Sequence, residues 1–403
     1  MKKRRFFLFT LYFILAVATF FVSNPVLKTV FLSIILYSAT FAKDVNQFLV
    51  YMSIGVVLHI GGSPIWVLVA SLPLYVSLSS YRSAIKRLIP LGVVMILALL
   101  SYHFGVESQF STMAVYFSSL LVFVQVLDSR VSEEDLFSYA VLTAMIIVVI
   151  LLLCSLRGEL TLRYGRLAIN GNIRELANVI SVPVFLSWSM LIMRKKKKFL
   201  YIIVGVVSSF VLLLTISKGA IVAIIVSLLL VYLLTSRRSP INTSLILLIV
   251  IPILYFVFQY ASGLEDFHFE RLEEDFNGFS GRTDIWAYYF DSFFENNQTI
   301  LFGFGPGDLK RLSIFDMYAH SLFLDMLFCY GFLMAFVWVV VFVYIARIVF
   351  KFKNPLAIGL FVFTILLYST HGVVTDPMFF VLLATSYSLS VNRVWAYVKG
   401  TKA

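Results

Sequence analysis

Apolar residues run in long stretches through nearly the whole chain, and short polar segments separate one stretch from the next. A helix needs about 20 mostly apolar residues to cross a bilayer. Fourteen stretches are candidate spans, of which 46–60 and 355–370 are the weakest. The candidate spans are residues 6–23, 25–42, 46–60, 64–81, 88–104, 110–127, 136–156, 175–193, 199–216, 218–235, 241–259, 320–349, 355–370 and 375–392. The pattern predicts an all-α polytopic membrane protein with about 12–14 transmembrane helices.

The positive charges predict the orientation of these spans. Lysine and arginine are retained on the cytoplasmic side of a membrane. With the N-terminus on that side, 22 of the 32 basic residues fall on cytoplasmic segments, and the C-terminus is cytoplasmic as well. The ten outward basic residues are Lys28, Arg157, Arg163, Arg166, Arg174, Lys218, Arg271, Arg282, Lys310 and Arg311. Long outward loops tolerate some charge, but Arg163, Arg166 and Arg282 oppose the orienting rule, which indicates a function for them.

One long hydrophilic loop, residues 260–319, interrupts the apolar pattern and carries 11 of the 21 acidic residues. Aromatic residues recur at helical spacing within it, at Trp286, Tyr289, Phe290 and Phe293. This spacing predicts an amphipathic helix over 284–296, capped by Thr283, which lies on the outer membrane surface or packs on the bundle. The loop divides the chain into an N-terminal transmembrane bundle (1–259, with an outward arginine loop at 157–174), the periplasmic loop (260–319) and C-terminal transmembrane helices (320–403).

The apolar segment 320–349 is longer than one crossing requires. Its thirty residues, at about 1.5 Å each, extend about 45 Å, whereas the hydrocarbon core is about 30 Å thick. Arg347 and Lys351 mark the cytoplasmic end, so we expect the excess length at the other end. His320 and Asp325 then lie at or above the outer interface, where a histidine is accessible and titratable.

Composition excludes several classes of protein. The chain is 61% hydrophobic and only 13% charged, which no soluble globular domain resembles. The net charge of +11 does not indicate nucleic-acid binding, because the basic residues form short clusters between apolar runs. Cys154, Cys329 and the scattered histidines lack metal-ligand spacing. The glycine cluster 303–307 lacks the lysine of a nucleotide loop and is typical of a tight turn. The sequence therefore predicts neither a metal nor a cofactor.

Cationic residues and one histidine form the candidate site. They are Arg163, Arg166, Arg174, Lys218, Arg282 and His320, which the predicted topology brings to the outer face. The planar fork of arginine matches phosphate oxygens, and a histidine near a hydroxyl can act as a general base. The group predicts an anionic substrate and a proton transfer.

Several short motifs follow one another in a fixed order between roughly residues 160 and 350. They are Arg163-Tyr-Gly-Arg166 with Asn172, Thr215-Ile-Ser-Lys-Gly-Ala220, Ser280-Gly-Arg282 with Trp286, Gly303-x-Gly305, and His320-Ser-Leu-Phe-Leu-Asp325 with Gly331. Their order and topology resemble the bacterial O-antigen polymerase and O-antigen ligase superfamily. The chain departs from the family at Ser321, where asparagine is usual, and at Lys218, where arginine is usual.

The resemblance implies a GT-C-like glycosyl-transferring enzyme of the bacterial inner membrane, with its active site facing the periplasm. Its donor would be a polyprenyl-diphosphate-linked oligosaccharide, bound by Arg163, Arg166, Arg174 and Lys218. Arg282 would stabilise the departing diphosphate, and His320 would take the proton of the attacking hydroxyl. The implied partners are this donor, a glycan acceptor, membrane lipid, and a chain-length regulator or flippase of the same pathway.

Four functions remain open at this point, of which the weakest is a structural membrane scaffold, because it would leave the outward arginine clusters unexplained. A polymerase that joins lipid-linked repeat units is favoured, because the departures from the family motifs suit a divergent enzyme that is specific for its own repeat unit. A ligase that transfers the finished polymer to lipid A–core is the alternative. A transporter or flippase of lipid-linked sugars is the third, and it is disfavoured because transporters place ionisable residues near the middle of the membrane, where this sequence has almost none.

Overall fold

The computed structural model describes the helical core of the chain. The described residues are 85–105, 108–128, 131–157, 160–163, 166–169, 173–193, 195, 197–215, 217–235, 282–307, 321–369 and 377–398, with scattered positions between 10 and 27. The predicted spans 25–42, 46–60, 64–81 and 241–259 lie outside these residues almost entirely, as does most of 6–23.

Helices make up the described part of the chain, apart from one β-hairpin. The elements are α1 (Ile85–Phe104), α2 (Phe110–Asp128), α3 (Glu133–Leu156), β1 (Leu160–Arg163), β2 (Arg166–Ile169), α4 (Ile173–Ile192), α5 (Lys198–Thr215), α6 (Lys218–Thr235), α7 (Arg282–Phe294), α8 (Asn297–Phe302), α9 (Leu322–Lys351), α10 (Pro355–Ser369) and α11 (Pro377–Val398).

These helices confirm an all-α polytopic membrane protein, to which the hairpin is an addition. Nine predicted spans correspond to α1 to α6 and α9 to α11, and each boundary agrees within three residues except the last. The helices α3, α5 and α9 are long and apolar enough to cross a membrane. Shorter apolar stretches of 10–17 residues occur in α1, α4, α6, α10 and α11.

An aromatic cluster joins α2, α9 and α11. Trp338 of α9 is 1% exposed, its ring centroid lies 5.3 Å from that of Phe380, and Phe123 packs against both rings. The indole N–H of Trp338 donates a 2.8 Å hydrogen bond to the hydroxyl of Tyr116, which in turn donates to the sulfur of Met334. The cluster therefore buries large rings and also satisfies their polar atoms.

We expect Tyr116→Phe to destabilise the bundle by about 1–2 kcal/mol, because the buried Trp338 N–H would lose its acceptor. Tyr344→Phe, on the same helix as Trp338, is a matched control, since the Tyr344 side chain is 57% exposed. Thermal unfolding of the two variants in detergent measures the difference. Equal melting temperatures would contradict a stabilising role for this hydrogen bond.

The helices α4, α5, α6 and α10 form a second packed group, which sets the direction of α9. α4 contacts α5 and α6, and α6 contacts α10. A Cβ on Gly359, near the start of α10, would collide with Val231, near the end of α6, so these two helices run antiparallel. α9 ends only a few residues before α10 begins. α9 therefore starts toward the end of the bundle at which α6 starts.

α9 is two helical segments and not the straight 30-residue helix that its length predicts. Gly331, with φ 75° and ψ −179°, separates a head segment (residues 322–330) from a long segment (residues 332–351). The long segment has about 20 residues and spans about 30 Å, enough for one crossing. The prediction of one straight helix of about 45 Å is therefore wrong, because hydropathy does not register backbone dihedral angles.

Candidate functional site

The predicted arginine loop 157–174 contains the β-hairpin. β1 and β2 pair antiparallel, with Arg163 directly opposite Arg166, so only two residues join the strands. The sequence supplies Gly165 at the second of these positions, as is common in two-residue hairpin loops. Opposite residues share one face of a hairpin, with their Cβ atoms about 5 Å apart, so the backbone brings the two arginine positions together.

The hairpin lies at the same end of the bundle as two further predicted residues. β2 contacts α4 and α5. Arg174 is the second residue of α4, which follows the hairpin directly. α5 returns alongside α4, so its last residue, Thr215, lies at the hairpin end of the bundle, and Lys218 begins α6 there. The backbone therefore brings four predicted positions, Arg163, Arg166, Arg174 and Lys218, to the hairpin end.

The predicted amphipathic helix 284–296 is α7, and it packs on the bundle. Tyr289 and Phe293 are fully buried, whereas Phe294 is 63% exposed. Both buried rings contact Phe328 in the head segment of α9, with centroid distances of 5.1 Å for Tyr289 and 5.7 Å for Phe293. α7 and the head segment therefore form one aromatic unit. A position of α7 on the outer membrane surface stays a prediction.

Arg282 is the first residue of α7. The prediction that Thr283 caps the helix is therefore wrong, because the helix begins one residue earlier. Positive partial charge gathers at a helix N-terminus, where unpaired N–H groups lie. Arg282 therefore stands at the end of the helix that favours an anion.

His320 lies outside the described residues, but its neighbour Ser321 is the N-cap of α9, with φ −144° and ψ 122°. The backbone carbonyl of Ser321 accepts a 2.8 Å hydrogen bond from the N–H of Asp325. Serine and asparagine are both favoured at N-caps, so serine in place of the family's asparagine suits this position, although the Ser321 side chain makes no capping hydrogen bond within the described structure. Asp325 is only 2% exposed, a burial that the sequence did not predict.

The glycine cluster 303–307 turns the chain and also donates backbone hydrogen bonds to α9. The N–H of Phe304 donates a 2.7 Å hydrogen bond to the carbonyl of Phe328, and the N–H of Gly305 donates a 3.0 Å hydrogen bond to the carbonyl of Cys329. A carbonyl in a continuous helix would accept from the N–H four residues later, but the break at Gly331 interrupts that pattern. The loop therefore supplies donors to carbonyls at the break.

Four glycines allow this close approach, and we call Gly105, Gly303, Gly305 and Gly331 the glycine junction. Three of them have positive φ: 77° at Gly303, 100° at Gly305 and 75° at Gly331. A Cβ on Gly303 would collide with the backbone of Cys329, and a Cβ on Gly105 would collide with the backbone of Gly305. The junction thus joins α1, the loop after α8, and α9 through direct backbone contact.

Sequence reasoning missed three residues of this region. Ser101 lies in α1 and Gly105 directly follows α1, and both contact residues about 200 positions later in the chain. Phe328 anchors α7 but is one of 40 phenylalanines, most of them in apolar runs. Gly303, Gly305 and Gly331 belong to the motifs, but a motif does not indicate which residues far away in the sequence will contact it.

Residues 203–339 match the family model of Wzy_C, described as O-antigen ligase. The O-antigen ligase match covers about a third of the 403 residues, from α5 into the long segment of α9. It confirms the resemblance for this segment, which contains Lys218, Arg282 and His320. The hairpin arginines precede the O-antigen ligase segment, and the role of every predicted site residue stays a prediction. No curated protein matches the chain.

Proposed function

We propose that the protein is an O-antigen polymerase of the bacterial inner membrane. It joins oligosaccharide repeat units carried on undecaprenyl diphosphate, at the periplasmic face, with both termini in the cytoplasm. The O-antigen ligase segment supports the reaction class, and the apolar helices support the membrane setting. The proposal extends from that coarser assignment to a donor, an acceptor and a site.

The observation that carries the proposal is the gathering of cationic positions at the hairpin end. Arg163 opposes Arg166 across the hairpin, while Arg174 begins α4 and Lys218 begins α6. A lipid diphosphate presents two adjacent phosphates, which suits two arginines at directly opposite positions of a hairpin. The donor diphosphate would thus bind at the hairpin, with Lys218 and Arg174 as further positive charges.

The reaction is a direct displacement at the anomeric carbon of the donor sugar. The hydroxyl oxygen of the acceptor forms the new glycosidic bond while the bond to the diphosphate oxygen breaks. The bonding electron pair leaves with the diphosphate, whose growing charge Arg282 stabilises. His320 takes the proton of the attacking hydroxyl. The anomeric configuration inverts, and the reaction requires no oxidant or reductant.

We expect the double variant Arg163→Ala/Arg166→Ala to raise the KM for the lipid-linked donor about 10- to 100-fold with a smaller change in kcat, because it removes charge-assisted hydrogen bonds to the diphosphate. Arg157→Ala is the control. Arg157 follows α3, and its guanidinium lies 4.6 Å from the ring of Phe21. Initial rates at several donor concentrations measure both constants. Equal KM values for the two variants would exclude the hairpin as the donor site.

An O-antigen ligase that transfers the polymer to lipid A–core is the second candidate, favoured by the description of the matched family. The surface glycan of a deletion strain, which lacks the gene for this protein, distinguishes the polymerase from the ligase. A core bearing a single repeat unit indicates the polymerase, whereas a bare core with accumulated lipid-linked polymer indicates the ligase.

The reaction class is tested with the purified full-length protein in proteoliposomes. The donor is lipid-linked oligosaccharide extracted from membranes of the deletion strain. Longer glycans on the lipid support the polymerase. Movement of the lipid-linked sugar across the vesicle membrane without a new glycosidic bond would instead identify a transporter and overturn the proposal.

A further inference from the structure

Ser101 connects three separate parts of the chain at the glycine junction. Its side chain is fully buried in the last turns of α1. Its hydroxyl oxygen lies 2.5 Å from the carbonyl oxygen of Phe302, the last residue of α8, and 2.8 Å from the carbonyl oxygen of Cys329, just before the break in α9. The hydroxyl proton is therefore shared between two carbonyl acceptors from two elements.

This arrangement differs from the usual behaviour of a serine inside a helix. Such a serine commonly donates to the carbonyl four residues earlier in its own helix. Ser386 of α11 shows the local kind of bond, because its hydroxyl donates to the carbonyl of Leu383 at 2.7 Å. Ser101 instead bonds residues 201 and 228 positions away. Its hydroxyl thus holds tertiary structure together.

The junction controls the direction of the head segment. The Cys329 carbonyl accepts from the Gly305 N–H and from the Ser101 hydroxyl, which uses both of its lone pairs. Gly331 immediately follows the head segment, and its positive φ breaks the helix there. The bonds from α1 and the glycine loop therefore hold the end of the head segment at the break.

A small change of the angle between the two segments of α9 moves the start of the head segment appreciably. The segment 322–330 is about 14 Å long at about 1.5 Å per residue. A rotation of about 5° at the break would therefore displace its first residue by about 1 Å. A displacement of about 1 Å at a reacting group can lower a rate about 100-fold. His320 stands two residues before the first residue of this segment in the sequence.

We infer that Ser101 is a positioning residue for glycosyl transfer, which acts by fixing the head segment of α9 and thereby the approach of His320 to the acceptor hydroxyl. This inference rests on the proposed function. Ser101 lies in α1, outside the O-antigen ligase segment, and its proposed role is to align the proton acceptor. Donor binding is assigned to the hairpin and does not depend on Ser101.

The test is Ser101→Ala in the full-length protein, reconstituted with lipid-linked oligosaccharide from the deletion strain. We expect kcat to fall about 10- to 100-fold, while the KM for the donor changes less than about twofold because the hairpin arginines remain. The matched control is Ser386→Ala, which also removes a buried hydroxyl but only a bond within one helix. It should retain the wild-type kcat. Wild-type kcat in Ser101→Ala, or a loss of kcat equal in both variants, would overturn the inference.

Hydrogen exchange gives a readout that does not depend on activity. The N–H groups of Phe304 and Gly305 are bonded to the break, so Ser101→Ala should speed exchange in a peptide covering 303–307, whereas Ser386→Ala should not. Unchanged exchange in Ser101→Ala would overturn the inference. If wild-type protein forms no glycosidic bond, the proposed function fails, while faster exchange in Ser101→Ala would still show that the serine holds the junction.

Ser101→Thr separates the hydroxyl from general packing. Threonine keeps the O–H donor and adds one methyl group, so part of the lost kcat should return and exchange at 303–307 should slow again. A threonine variant no faster than the alanine variant would show that the hydroxyl is not the active feature. Rescue by threonine would also exclude a simple folding defect at this position.

Discussion

Gly331→Ala is expected to destabilise the protein by about 3–5 kcal/mol. The backbone at Gly331, with φ 75° and ψ −179°, is a conformation almost confined to glycine. In addition, an alanine Cβ would collide with the carbonyl of Leu301. Straightening α9 would relieve this strain, but it would break the hydrogen bonds that the Phe328 and Cys329 carbonyls accept from the N–H groups of the glycine loop.

Gly92→Ala is the control for this prediction. Gly92 lies inside α1, and a Cβ placed there meets no atom within 4 Å. Alanine favours the helix over glycine by up to about 1 kcal/mol, so this variant should melt at or above the wild-type temperature. Thermal unfolding in detergent compares the two. A Gly331→Ala protein as stable as Gly92→Ala would mean that α9 is continuous at residue 331.

The helix boundaries are the part of the fold that the sequence predicts best. The predicted span 218–235 coincides with α6, and 199–216 differs from α5 by one residue at each end. Apolar runs end where charged residues begin, because a charged side chain is costly in hydrocarbon. The same rule locates the spans but carries no information about which helices touch.

The hairpin and the break in α9 were not predicted, for different reasons. The hairpin has only a weak local signal, the alternation of residues around Gly165, because each of its strands has only four residues. The break has no distinctive local signal, because glycine is common in transmembrane helices and Gly331 stands within an apolar run. Its cause is tertiary, since Phe304 and Gly305 must supply hydrogen bonds there.

In the candidate site too, the sequence reveals some residues and not others. The outward basic residues were found because Arg163, Arg166 and Arg282 violate the charge rule for membrane proteins. Residues that act through packing violate no such rule. Phe328 resembles every other apolar residue in the chain, and Ser101 resembles the other buried serines until its partners Phe302 and Cys329 are known.

His320→Ala is expected to lower kcat for glycan transfer about 100- to 10,000-fold, because it removes the group proposed to accept the proton of the attacking hydroxyl. The KM for the lipid-linked donor should change little, since the donor is assigned to the hairpin arginines. Initial rates in proteoliposomes, at saturating and at limiting donor, separate the two constants. Arg282→Ala should also lower kcat, because its charge is assigned to the departing diphosphate in the transition state.

His103→Ala is the matched control. His103 is the exposed histidine in the last turn of α1, and its ring contacts Phe104. If an exposed imidazole near the junction were sufficient, the two histidine variants would lose similar activity. The proposed mechanism instead requires near wild-type kcat in His103→Ala, because proton transfer needs a base within hydrogen-bonding reach of the acceptor hydroxyl. A His320→Ala enzyme with full kcat would remove the general base from the mechanism and leave electrostatic stabilisation by Arg282 as the source of catalysis.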